Sequence, residues 1–113
     1  MNLISGERRS GKTTRILKLA SKNQSTIVTW NSRHASQLFE TAKSMGLAIP
    51  KPITFEKFLN RANHQGVKSF CFEELGQLLC SMTRCPIIAS TWDTTTHPII
   101  KLQPNSISFI ENL

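Results

Sequence analysis

A lysine set between a glycine and a threonine can do polyphosphate chemistry when a second glycine precedes it at the right distance. Residues 6–13 read Gly6-Glu7-Arg8-Arg9-Ser10-Gly11-Lys12-Thr13 and meet every fixed position of the pattern G-x-x-x-x-G-K-[ST]. Each residue type has a task in that pattern. The glycines let the backbone curl into a nest of N–H donors, and a following helix adds its positive dipole end. Lys12 reaches the β- and γ-phosphates, the Thr13 hydroxyl ligates Mg²⁺, and Thr14 completes the stretch that lines the phosphates. The second chemical feature is the pair Glu73-Glu74, which follows the apolar run Phe70-Cys71-Phe72. A carboxylate at the end of a strand can hold the magnesium shell, so Glu73 is expected to contact Mg²⁺ through water. Glu74 is expected to orient or activate the attacking water. The same two acids would also suit the start of a helix, where they favour the positive dipole end.

These residues need a strand before the loop, a helix after it and further strands to deliver the acids. Asn2 to Ser5 is short and apolar enough for a buried parallel strand, and Ile16, Leu17, Leu19 and Ala20 recur at helical spacing. Asn23-Gln24-Ser25 reads as a turn and Thr26 to Trp30 as a second strand. Asn31 or Ser32 should cap a helix through Ala35, Leu38, Phe39, Ala42 and Met45, which Gly46 ends. The prolines at 50 and 52 force residues 49–53 into extended geometry. Thr54 then caps a short helix bearing Phe55, Phe58 and Leu59. Residues 60–66 look like a loop, Ser69 to Phe72 like a strand, and Leu75, Leu78, Leu79 and Met82 like one face of a helix. Pro86 to Thr91 reads as a further strand, Asp93 to Thr96 as a polar turn, and Ile99–Leu102 and Ile107–Ile110 as two more short strands. Strands alternating with helices predict an α/β fold with a mostly parallel sheet and helices on both faces.

At 113 residues the chain has room for one domain, residues 1–113, and a hydrophobic fraction of 39% suffices for a small core of that kind. No apolar run approaches the ~20 residues needed to cross a bilayer. The first apolar stretch gives way at once to the loop and does not read as a signal peptide, so a cytoplasmic protein without a membrane partner is expected. Three cysteines, an odd count without C-x-x-C, point to buried thiols rather than a disulfide framework or zinc. The net charge of +7 is uneven, with +6 on residues 1–33, +3 on 34–72 and −2 on 73–113. Polyphosphate binding accounts for part of the first cluster. The rest could attract nucleic acid, or it could be a solvated helix face, since Arg15, Lys18 and Lys22 recur every three to four residues.

The order of motifs resembles the first motor domain of superfamily one helicases of the UvrD/Rep type. Gly6 to Thr14 looks like their first motif. Thr29-Trp30-Asn31-Ser32-Arg33-His34-Ala35 is similar to T-F-T-N-K-A-A, Thr54-Phe55-Glu56-Lys57-Phe58 to T-F-H-S-F, and Phe72-Glu73-Glu74-Leu75 to V-D-E-F. The resemblance covers about residues 1–80 and implies a P-loop NTPase domain of RecA-like fold. This chain departs from the family in carrying Glu73 for an aspartate and Gly76 for a glutamine. It shows no upstream adenine-reading glutamine motif, no sensor after the fourth strand beyond Thr91-Trp92-Asp93, and no second motor domain. The compact form also looks like small phosphate-loop proteins encoded by bacteriophages, and its loop is similar to that of thymidine kinases.

Together these readings predict an ATP-binding (or other NTP-binding) protein with weak Mg²⁺-dependent hydrolysis, in which Lys12 and Glu74 carry the chemistry. It would act in nucleic-acid metabolism or with a partner. The missing second lobe suggests that another copy of the chain or a protein partner supplies a compensating arginine, a role for which Arg8, Arg9 and Arg84 are candidates. Two alternatives stay open. One is a small nucleoside or nucleotide kinase, whose acceptor pocket and lid would have to come from residues 46–54 and 60–67. The other is a module that binds single-stranded nucleic acid around a structural nucleotide, with Trp30 and Phe55 stacking on bases. A GTPase is disfavoured because N-K-x-D is absent.

Overall fold

The computed structural model describes residues 1–7 and 9–102. The chain divides into two compact bodies, one of Met1–Arg15 with the described part of Ile87–Leu113, the other of Ile16–Pro86. Both are built from short parallel strands, and the helices alternate with strands along the chain, so the protein is a small α/β molecule.

In the first body, β1 (Leu3–Gly6) pairs in parallel with β5 (Ile99–Leu102), in the register Leu3↔Ile99 through Gly6↔Leu102. The ladder is extended by Leu3 N–H donating to the Pro98 carbonyl at 2.9 Å. Before β5 stands the expected polar turn. The Asp93 carboxylate accepts from the Thr95 amide at 2.9 Å and the Thr96 hydroxyl at 3.0 Å, and the His97 amide donates to the Asp93 carbonyl. The Trp92 indole closes it by donating to the His97 carbonyl at 2.8 Å. The strand expected over Pro86–Thr91 does not form: these residues pair with no strand among the described residues, and Ile88 is 94% exposed. Strand propensity alone does not secure a strand. Among the described residues β1 takes its ladder partner from Ile99–Leu102, whose Leu102 side chain is buried. The strand expected over residues 107–110 lies outside the described residues.

The second body is organised around β2 (Thr26–Thr29), buried along its whole length. It is flanked by β3 (Ile53–Thr54) and β4 (Phe70–Phe72), both parallel to it, in the order β3-β2-β4. Among the described residues the strands thus form two ladders, one in each body, where one continuous sheet was expected. Helix α1 (Lys12–Asn23) starts in the first body and continues into the second. There its Leu17 and Ala20 pack with Ile27 of β2, with Leu38 and Ala42 of α2 (Ser32–Ser44), and with Ile49. Gln24 turns the chain after α1 in a left-handed conformation (φ 50°), with its side-chain amide donating to the carbonyls of Ser21 and Ala48.

The caps are as expected. The Asn31 side chain accepts from the His34 amide at 2.7 Å, and that of Thr54 accepts from the Lys57 amide ahead of α3 (Phe55–Phe58). Residues 61–64, expected to be loop, form one turn of 3₁₀-helix, which the Asn60 side chain caps by accepting from the Ala62 amide. Helix α4 (Leu75–Ser81) buries only Leu78. Phe55, Phe58, Phe70, Phe72 and His64 form one half-buried aromatic cluster, in which Phe58 meets Phe72 edge-on at 4.8 Å and Phe70 at 5.0 Å. All three cysteines are free, but only Cys71 is partly buried. Cys80 and Cys85 are exposed, contrary to expectation. Burial pushes the Cys71 thiol up, against a smaller lowering by the Ser25 hydroxyl. Among the described residues no helix is long and apolar enough to cross a membrane.

Candidate functional site

A strand precedes the loop and a helix follows it. β1 ends at Gly6, the described residues 7 and 9–11 lie outside helix and strand, and Lys12 is the first residue of α1. Two described residues of the loop are left-handed, Arg9 at φ 62° and Gly11 at φ 90°. Gly11 suits that geometry because it has no Cβ, while Arg9 holds it at a cost of order 1–2 kcal/mol. The loop closes on itself through the Ser10 amide, which donates to the Glu7 carbonyl at 3.2 Å. Gly6 is required by close approach instead. A Cβ there would collide with the Ser10 hydroxyl and stand 2.9 Å from the Leu102 carbonyl oxygen. Ser10 is buried beneath the loop, and Glu7, Arg9 and Thr13 are exposed.

The Lys12 ammonium turns back over the loop and donates to the Gly6 carbonyl at 2.8 Å. As α1 begins, the Arg15 amide donates to the Gly11 carbonyl at 3.0 Å. The amides of an opening helical turn are not consumed by the helix itself, which is what makes such an end attractive to an anion. Gly6, Glu7, Arg9, Ser10, Gly11, Lys12, Thr13 and Thr14 thus lie together in one loop and its helix start. Arg8 lies outside the described residues. One expectation for this helix needs correcting. Arg15 does not belong to a solvated basic face: its side chain is buried at 8% exposure, while Lys22 is exposed.

The acidic pair stands in the second body, at the carboxyl end of β4. Val28 pairs with Phe72, and the Glu73 amide donates to the Val28 carbonyl at 3.0 Å, so Thr29 and Glu73 follow side by side in register at the strand ends. In-register neighbours of a parallel ladder present their side chains to the same face. The Thr29 hydroxyl is buried and has no hydrogen-bond partner among the described residues. Glu73 is buried as well, and its Oε2 lies 3.3 Å from Nε2 of His34, the third residue of α2. Glu74 is exposed and left-handed (φ 56°, ψ 57°), and it stands at the N-cap position of α4 without giving that helix a side-chain cap. A capping residue normally has extended backbone and a short oxygen-bearing side chain. Glu74 has neither, so a plain helix start does not account for it.

The hard oxygen donors at these strand ends suit Mg²⁺, which takes one or two carboxylates and completes its shell from phosphates and water. The orphaned Thr29 hydroxyl beside Glu73 fits such a shell. Among the described residues no group of three or more His, Cys, Asp and Glu side chains gathers. Asp93, the next acid in line, is engaged elsewhere: the Thr95 amide and then the Thr96 hydroxyl hold its carboxyl below the ordinary value of 3.8.

Sequence reasoning missed His34. It reads as a helix residue in the Asn31–Ala35 stretch, and no spacing rule links it to an acid so far along the chain. Of the two aromatics expected to stack on bases, Trp30 is 49% exposed, whereas Phe55 packs into the protein's own cluster, 6.0 Å from Phe58. Comparison with protein-family models, with curated proteins and with solved structures finds no match for this chain.

Proposed function

We propose that the protein binds ATP or another nucleoside triphosphate with Mg²⁺, and hydrolyses it slowly as a P-loop NTPase of RecA-like type. The observation that carries this reading is the β1–loop–α1 unit, in which Gly11 is left-handed, Lys12 opens the helix and the Lys12 ammonium folds back onto the Gly6 carbonyl. A loop that keeps its lysine over its own rim offers a cation, backbone amides and a helix start to one anion, which is the chemistry of a polyphosphate seat. Lys12 would neutralise the β- and γ-phosphates, and the Thr13 hydroxyl would take a place in the magnesium shell. Glu73 and Glu74, in the second body, are the acids whose residue types would suit the metal and the attacking water. The metal supplies charge neutralisation across the phosphates. A chain with net charge +7 has surface charge to spare for nucleic acid or an acidic partner, so a role in nucleic-acid metabolism or on a partner protein agrees with this reading.

A thermal-shift screen of ATP, GTP, CTP and UTP with Mg²⁺ tests it. A ligand at 100 times its dissociation constant stabilises by about 2.7 kcal/mol. For a domain near this size that is a rise of roughly 10 °C. At least one triphosphate should produce it, and a flat response to all four would contradict the proposal.

A further inference from the structure

A threonine hydroxyl is rarely buried without a hydrogen-bond partner, because the bonds it gave up to water then go uncompensated. Thr29 is such a residue. It ends β2 at 1% exposure, and its Oγ1 has no hydrogen-bond partner among the described residues. An orphan of this kind calls for a water or an ion at its side. The groups that gather near it all belong to the second body. Ile27, two residues earlier on β2, clusters with Leu38 and Ala42, so α2 covers that face of the strand. Alternation along the strand puts Thr29 on the same face. Glu73, in register with Thr29 past the end of β4, is turned the same way and is buried. From above, the first turn of α2 brings Nε2 of His34 to 3.3 Å from Oε2 of Glu73.

That last separation suits two donors on one ion. Ligands held at about 2.0–2.1 Å in a tetrahedral shell stand roughly 3.3 Å from each other. An imidazole beside a carboxylate is a mixed nitrogen–oxygen set, which favours Zn²⁺ and its first-row neighbours over Mg²⁺. We infer that His34 Nε2 and Glu73 Oε2 form a binding site for a divalent first-row transition metal, with the Thr29 hydroxyl bonded to a water of its shell. Two protein ligands leave the remaining positions to water. The His34 side chain, 36% exposed, gives the ion a way in. The Asn31 side chain accepts from the His34 amide at 2.7 Å, so the cap that starts α2 also places the imidazole. The site uses no residue of the phosphate loop and stands apart from the nucleotide reading.

The test uses the whole chain without nucleotide, carrying Cys80→Ser and Cys85→Ser so that the two exposed thiols take no part. Zn²⁺ is titrated in competition with a chromophoric chelator, Mg²⁺ serves as the comparison ion, and circular dichroism follows the fold of each variant. The double-serine parent should bind one Zn²⁺, about a hundredfold more tightly than Mg²⁺. His34→Ala and Glu73→Gln should each weaken Zn²⁺ binding about tenfold or more, since a ligand is worth at least as much as the groups behind it. Thr29→Val keeps the shape, removes the hydroxyl and should lose up to about tenfold. Where His34→Ala does not keep the parent's circular dichroism, His34→Gln replaces it with the same expectation. Parental Zn²⁺ affinity in a folded His34 variant, in Glu73→Gln or in Thr29→Val would overturn the site. A parent that binds no Zn²⁺, or binds Mg²⁺ as tightly, would overturn it too. None of these outcomes touches the nucleotide reading, which the thermal-shift screen decides.

Discussion

Glu74→Gln is expected to slow ATP turnover by about 10²- to 10⁴-fold, the range that a positioned proton acceptor contributes, while nucleotide affinity stays within a few-fold of wild type. The substitution keeps the side chain's size and removes only its basicity. The reason to place the chemistry on Glu74 is its backbone. A glutamate at φ 56° and ψ 57° pays of order 1–2 kcal/mol against an ordinary helical or extended conformation, and it provides no side-chain cap to α4 in return. Residues held in such conformations concentrate at functional sites. Glu74→Gly separates the two aspects: it relieves the backbone cost, so stability should not fall, yet turnover should drop as far as in Glu74→Gln. Single-turnover hydrolysis and thermal melts on the same samples check both statements. Turnover at the wild-type rate in both variants would place the proton acceptor elsewhere.

The second large effect is on stability. Leu17→Ala should cost about 2–5 kcal/mol, because Leu17 has no exposed surface and packs in the cluster of Ala20, Ile27, Leu38, Ala42 and Ile49 that joins α1, β2 and α2. Domains of this kind have only about 5–15 kcal/mol in total. The midpoint of urea unfolding should therefore fall sharply at unchanged slope. Leu79→Ala, at a position 45% exposed on α4, should change stability by less than about 0.5 kcal/mol. Similar losses in the two variants would mean that the core is not where the α1–β2–α2 packing puts it.

Where local chemistry decided the outcome, the sequence was readable. The turn to α1 follows from Gly11 and Lys12, the start of α2 from the Asn31 side chain, and the start of α3 from Thr54. Each depends on atoms within a few residues. Pairing was not readable, because it depends on competition between distant segments. Pro86–Thr91 and Ile99–Leu102 are both apolar and rich in isoleucine, yet only the second finds a ladder, against β1. Whether the five described strands make one sheet or two is likewise absent from any local pattern. Within the candidate site the same division holds. The loop residues and Glu73-Glu74 are legible as types at fixed spacings. The left-handed backbone of Glu74, the burial of Arg15 and the approach of His34 to Glu73 are products of tertiary placement.

The central claim is that Lys12 faces a polyphosphate, and calorimetric titration of Mg²⁺–ATP into wild type and Lys12→Ala tests it most directly. A hydrogen bond to a charged group contributes about 1.5–3 kcal/mol, so affinity should fall at least tenfold, with the circular dichroism of the variant unchanged. Equal affinity in a folded Lys12→Ala protein would contradict the account.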